Sequence, residues 1–108
     1  MARHVFFAFT NPVPGKEKEY NEWQDNEHIP HGLQNPGFVG AKRYKLAGAQ
    51  FGPLPEGQAQ YVTIWEIESD DIEATLAQAG ERLQTAVWSD ALDEATTTTA
   101  VYTEVGND

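Results

Sequence analysis

The chain has 108 residues, seven basic and 17 acidic side chains, a formal net charge of −10 and no cysteine. This length fits one domain with a modest core, and the acidic charge argues against nucleic-acid and anionic-membrane partners, which favour patches of Lys and Arg. The absence of cysteine excludes disulfides, thiol nucleophiles, zinc–thiolate sites and iron–sulfur clusters.

The chain alternates between strand and helix patterns, separated by turns rich in Gly and Pro. In chain order we predict a strand at 5–9, a helix from about 16, strands at 39–46 and 61–67, a helix at 72–86 and a strand at 98–105. Pro30 either ends the first helix or lies in the first turn of a second short one. Residues 47–60 form a loop, and 87–95 are irregular or a short helical turn.

This order predicts an α+β, ferredoxin-like βαββαβ sandwich. Its four-stranded antiparallel sheet carries both helices on one face, and residues 1–108 form one domain. The other sheet face is left uncovered and includes aromatic side chains. A second copy of the same sheet is the simplest cover for such a face, so we expect a symmetric homodimer with a barrel-like core.

The segment from Tyr20 to Leu46 is the first candidate for chemistry. His28 follows Asp25 by three residues, and on a helix this spacing makes the two side chains neighbours. The carboxylate would then orient the imidazole and raise its pKa, as acid–base catalysis favours. The structural alternative is that His28 caps or packs the end of the first helix.

His31 lies three residues beyond His28, with Glu27 nearby. An H-x-x-H pair is compatible with a divalent metal, but Pro30 disturbs the helix and no third ligand cluster is evident. We therefore expect no metal site. His31 is either a second catalytic or substrate-binding group or a solvated residue at the helix end.

Five further side chains are candidate substrate-binding residues, each with a structural alternative. They are His4, Trp23, Arg43, Tyr44 and Trp65. His4 lies on a strand end where exposure to water is common. The aromatic residues suit a core or interface as well as an apolar pocket with a polar handle. Arg43 is able to hold a carboxylate or phenolate, or to form a surface ion pair.

Three motifs between residues 6 and 46 resemble the EthD-like branch of the dimeric α+β barrel proteins. They are Asn11-Pro12-Val13-Pro14-Gly15, Trp23-Gln24-Asp25-Asn26-Glu27-His28-Ile29-Pro30 and Pro36-Gly37-Phe38. Relatives often carry an acidic residue where His31 stands and an aromatic residue where Gln24 stands. The resemblance implies the fold and places His28 in the expected position. Its superfamily includes lyases, isomerases, polyketide cyclases and monooxygenases.

From the residues and the resemblance we expect a small cofactor-free enzyme of the lyase, isomerase or cyclase type. His28 and Asp25 would form an acid–base pair in an aromatic-lined cavity that holds a hydrophobic ring-bearing or polyketide-like molecule. The alternative is a non-catalytic binding or accessory protein of a degradation or biosynthesis pathway. No secretory signal or membrane span is recognisable, so the expected location is the cytoplasm.

Overall fold

A computed structural model describes residues 1–106, so the last two residues of the predicted 1–108 domain lie outside the described part. Its main elements are β1 (Arg3–Thr10), α1 (Glu17–Trp23), a π-helical turn (Gln24–His28), α2 (Ile29–Gly32), β2 (Phe38–Lys45), β3 (Tyr61–Glu68), α3 (Ile72–Arg82) and β4 (Thr98–Thr103). Short 3₁₀ turns follow at Leu83–Thr85 and Glu94–Thr96. The predicted order of strands and helices is confirmed.

The four strands form one sheet in the order β2-β3-β1-β4, and every pair of neighbours is antiparallel. The two central strands, β3 and β1, pair with another strand along both edges, and they carry the most hydrophobic sequences of the sheet. Phe6 of β1 lies opposite Trp65 of β3 and Val101 of β4, which fixes the register of the sheet centre. The ferredoxin-like prediction is confirmed.

Both helical segments pack on the same sheet face. Alternation along β3 buries Tyr61, Thr63, Trp65 and Ile67 and leaves Val62, Ile64, Glu66 and Glu68 more exposed, as expected for a strand with one covered face. Residues from α2 and α3 pack on the cluster of Phe38, Trp65 and Ile67; they include Ile29, Ile72, Leu76 and Ala79. A second buried cluster joins α1 to the segment after α3.

The opposite sheet face is apolar and has no cover within residues 1–106. Phe7 stacks with Phe9 at 6.0 Å between ring centroids and meets Tyr102 edge-on at 5.5 Å. Tyr102 is 61% exposed and Tyr44, on β2, is 49% exposed. A small domain gains stability by covering such a face, which is the physical basis of the dimer expectation.

The second short helix, α2, follows directly after the π-helical turn and contains Pro30. Pro30 lies in the first turn of α2, where its missing N–H costs little, so the second of the two alternatives for this residue is confirmed. Gly32 ends this segment against the indole of Trp65. A Cβ atom at Gly32 would lie 2.3 Å from the Trp65 ring, so only glycine permits this approach of helix and sheet. In the described residues no helix is long and apolar enough to cross a membrane.

Candidate functional site

A cavity of about 270 Å³ lies between the inner sheet face and the helices. Strand residues supply its floor and helix residues supply its roof. Its wall consists of Phe6, Ala8, Thr10, Trp23, Gln24, His28, His31, Gly32, Asn35, Phe38, Thr63, Trp65, Ala79, Leu83, Trp88, Leu92, Thr97 and Thr99. All three tryptophans of the chain belong to this wall. No Lys, Arg, Asp or Glu does, so the cavity suits an uncharged, largely apolar ligand.

His28 is the titratable group at the centre of an aromatic cluster. Its imidazole stacks on Trp23 at 4.7 Å between centroids, with an interplanar angle of 25°. Trp88 lies 5.3 Å and Trp65 6.1 Å from the same ring. The Nδ1 atom is buried and has no hydrogen-bond partner among residues 1–106. The pKa of His28 is therefore lowered from 6.5 to about 4, with burial as the larger cause and the nearby His31 as the smaller one.

The predicted pair of Asp25 and His28 does not form. Residues 24–28 adopt a π-helical turn, which has more residues per turn than an α-helix, so residues three apart no longer share a face. Asp25 instead lies on the exposed side and accepts a hydrogen bond from Arg43 at 3.0 Å. The carboxylate therefore does not raise the pKa of His28, which falls instead. Turns of this kind are frequent at functional sites.

His31 also lines the cavity, but its ring is anchored. Its Nε2 atom donates to the backbone carbonyl of Arg82 at 3.2 Å, and the Arg82 guanidinium donates in return to the carbonyl of His31 at 3.1 Å. His31 thus ties α2 to the end of α3. Across residues 1–106, no three His, Asp or Glu side chains come together as a metal-binding group.

The structure brings Trp23 and Trp65 to the cavity and places three other predicted residues elsewhere. His4 is 6% exposed; its Nε2 donates to the Ser69 carbonyl at 3.0 Å, and its Nδ1 is hydrogen-bonded to Thr103 at 2.9 Å. Both ring nitrogens therefore form hydrogen bonds within the protein. Tyr44 lies on the outer sheet face, since side chains alternate along a strand and its neighbours in β2 point inward.

Arg43 points to the helix side but stays outside the cavity wall. Its guanidinium donates to Asn21 at 2.6 Å as well as to Asp25, and it lies over the rings of Tyr20 and Tyr61 at 5.4 and 5.3 Å. These contacts hold α1 against β2. Of the two alternatives for Arg43, the ion pair is the one observed, and a role in holding a substrate carboxylate or phenolate does not fit this position.

Gln24 and Trp88 are among the wall residues that were not predicted as site residues. Gln24 is 2% exposed, and its Oε1 atom has no hydrogen-bond partner. Its position four residues after Tyr20 is a signal in the sequence, since this spacing places a polar residue on the apolar helix face. Trp88 lies in the irregular segment after α3, where sequence periodicity carries no information about position. Its Nε1 atom donates to the Leu83 carbonyl at 3.3 Å.

No protein-family model and no curated protein sequence matches this chain. Several solved structures share its fold over nearly the whole length. A candidate monooxygenase from Shewanella loihica PV-4 has a TM-score of 0.67 and 16% identity and covers 99% of both chains. The heme degrader MhuD from Mycobacterium tuberculosis, solved with two hemes in its active site, has a TM-score of 0.64 and 14% identity over 97% of this chain and 98% of that one.

An EthD-family protein from Bacillus halodurans C-125 has a TM-score of 0.53 and 16% identity, over 97% of this chain and 100% of that one. Identities this low show the fold and nothing finer. The resemblance to the dimeric α+β barrel proteins, predicted from the motifs of residues 6–46, is confirmed at that level.

Proposed function

We propose that this chain is a small homodimeric enzyme that binds an uncharged, ring-bearing molecule in the helix–sheet cavity and uses His28 for proton transfer without a bound cofactor. One observation carries the proposal: a neutral imidazole in the wall of an apolar cavity, with Nδ1 buried and unpaired. Strongly perturbed titratable groups in apolar clefts are a common feature of active sites.

His28 suits a reaction in which the charge of the imidazolium, formed when it takes a proton, is balanced by a substrate anion. With a pKa of about 4, His28 is neutral at pH 7 but a weak base, so proton transfer to it requires a nearby negative charge that stabilises the imidazolium. Because Nδ1 is buried, Nε2 is the nitrogen that can meet a ligand. Taking a proton from a substrate O–H or C–H would leave an anion beside the new imidazolium, and their attraction is strong in a dry cavity. Elimination, isomerisation and cyclisation require this kind of step.

The size of the cavity limits the ligand. About 270 Å³ lies at the lower end of the volumes that hold small-molecule ligands, so one or two fused rings fit without rearrangement. A porphyrin, the ligand of MhuD, is larger than this space. A haem group therefore does not fit here.

The homodimer would form through the outer sheet face. This face carries Phe7, Phe9 and Tyr102 in contact with one another and leaves Tyr44 half exposed. A second copy would bury these rings at once. Sedimentation equilibrium should give twice the chain mass of 12.0 kDa, and Phe7→Glu should yield the monomer. A wild-type monomer at micromolar concentration would contradict this part of the proposal.

The test of catalysis is a substrate screen with matched histidine variants. Uncharged monocyclic and bicyclic aromatic ketones and phenols should be incubated with wild type, His28→Gln and His31→Gln, with and without oxygen, and products followed by chromatography. Loss of one general base costs about 10²–10⁴-fold in rate. We expect that loss in His28→Gln with ligand affinity retained, and a smaller effect in His31→Gln. Near wild-type turnover in His28→Gln would contradict the assignment.

The second candidate function is binding without chemistry. The absence of an Asp25 contact favours it, because no side chain holds the His28 ring in one tautomer. A binding protein would show no turnover with any compound, with or without oxygen, while His28→Gln altered affinity alone.

A further inference from the structure

The cavity wall contains four amide or imidazole side chains, and two of them have a buried polar atom without a hydrogen-bond partner among residues 1–106. His31 donates to the Arg82 carbonyl, and the Asn35 Oδ1 atom accepts from the Arg82 guanidinium at 2.5 Å. By contrast, Gln24 Oε1 and His28 Nδ1 are both buried without a partner. Both belong to the same π-helical turn, so the unpaired atoms are concentrated at one place in the wall.

The orientation of the Gln24 carboxamide is set by its amino end. Its Nε2 atom donates to the hydroxyl of Tyr20 at 3.4 Å, and this hydroxyl is also hydrogen-bonded to Thr10. Tyr20 is fully buried, so the Thr10–Tyr20–Gln24 chain is fixed within the core. The carbonyl end is left without a donor. A buried carbonyl that lacks a partner lowers stability, and such groups are rare in folded proteins.

The residues of the cavity wall limit which chemical groups can be the missing hydrogen-bond partner of Gln24 Oε1. A carboxamide oxygen only accepts hydrogen bonds, so the partner must supply an O–H or N–H group. The wall has no Lys or Arg to balance an anion and no Asp or Glu to balance a cation. Trp23, Trp65 and Trp88 present aromatic surface that suits a flat ring.

We propose that Gln24 is the specificity-determining residue of the cavity, and that its free Oε1 accepts a hydrogen bond from the hydroxyl or N–H group of an uncharged ring-bearing ligand. This inference rests on the proposed function, because it assumes that the helix–sheet cavity is the ligand site. It adds that the cavity selects ligands that carry a hydrogen-bond donor, so a phenol or enol is favoured over its donor-free analogue.

Two bicyclic compounds of nearly equal shape test the inference. 2-Naphthol carries the donor and 2-methylnaphthalene replaces it with a methyl group. Dissociation constants for both should be measured from quenching of the tryptophan fluorescence in wild type, Gln24→Met and Gln78→Met. Methionine keeps the length of the side chain and removes its polar atoms. Gln78 is exposed on α3 and outside the cavity wall, so it is the matched control.

We compare the ratio of the two dissociation constants, because the ratio cancels the general difference in hydrophobicity between the compounds. Gln24→Met should shift this ratio against 2-naphthol by about three- to tenfold, the range expected for one neutral hydrogen bond. Gln78→Met should leave the ratio unchanged. The melting temperature of free Gln24→Met should equal or exceed that of wild type, since an unpaired buried atom is removed.

Each other outcome counts against the inference. If both compounds bind and Gln24→Met leaves the ratio unchanged, Gln24 does not choose the ligand, although the cavity remains the binding site. A large fall in melting temperature with an unchanged ratio would assign Gln24 a structural role. If neither compound quenches the tryptophans up to its solubility limit, the inference and the ligand site of the proposed function fail together.

Discussion

Protonation of His28 should destabilise the folded chain between about pH 4 and pH 6.5. Burial lowers the pKa of His28 from 6.5 to about 4 in the folded protein. Between these values the unfolded chain binds the proton and the folded chain does not. The free energy of unfolding therefore rises with pH through this window. The contribution of His28 to it is lost as the pH falls. A difference of this size corresponds to about 3 kcal/mol.

Urea unfolding of wild type and His28→Gln, measured at intervals from pH 4 to 7, isolates this contribution. The tryptophan fluorescence is a suitable signal because all three indoles line the cavity. Subtracting the two curves cancels the titration of the carboxylates, and a fixed, low protein concentration limits association as the acidic chain loses charge. Wild type should lose about 3 kcal/mol more than the variant between pH 6.5 and pH 4.

His31→Gln is the matched control, since its charge is the smaller of the two causes of the His28 shift. This variant should keep most of the pH dependence of wild type. Parallel unfolding curves for wild type and His28→Gln would refute the reasoning, because they would mean that the His28 pKa is the same in the folded and unfolded chains.

Two further substitutions test the geometry of the site. Gly32→Ala should destabilise the fold by about 1–3 kcal/mol, because its Cβ would collide with Trp65. Gly80→Ala, which meets nothing within 4 Å on the exposed face of α3, should instead stabilise by up to ~1 kcal/mol. Urea midpoints distinguish the two, and equal effects would contradict the close approach. Asp25→Asn should leave the His28 titration unchanged in NMR spectra; a fall in the His28 pKa would show that the carboxylate contacts the ring in solution.

Local sequence patterns predicted the fold well because they report local structure. The strand at 61–67 was visible as alternation of large apolar side chains, and the observed strand is Tyr61–Glu68. The helix predicted at 72–86 is observed as α3, followed by a 3₁₀ turn at Leu83–Thr85. The Asp71 side chain caps α3 by accepting from the N–H of Ala74 at 3.1 Å.

The candidate site was predicted only in part, because its assembly depends on tertiary contacts. His28 and Trp23 stood out in one short segment, but the π-helical turn that separates His28 from Asp25 leaves no mark on hydrophobic periodicity. Trp88 reaches the cavity from an irregular segment 60 residues further along the chain, and helix and strand periods do not apply there.

The most direct test of the cavity as the ligand site is the ¹⁵N spectrum of the histidine rings at pH 7 during titration with 2-naphthol. We predict that the ring nitrogens of His28 shift as the ligand binds beside them. Those of His4 should not move, because both are already hydrogen-bonded outside the cavity wall. Saturating ligand that leaves the His28 resonances unmoved, or that shifts only residues of the outer sheet face, would contradict a binding site at His28.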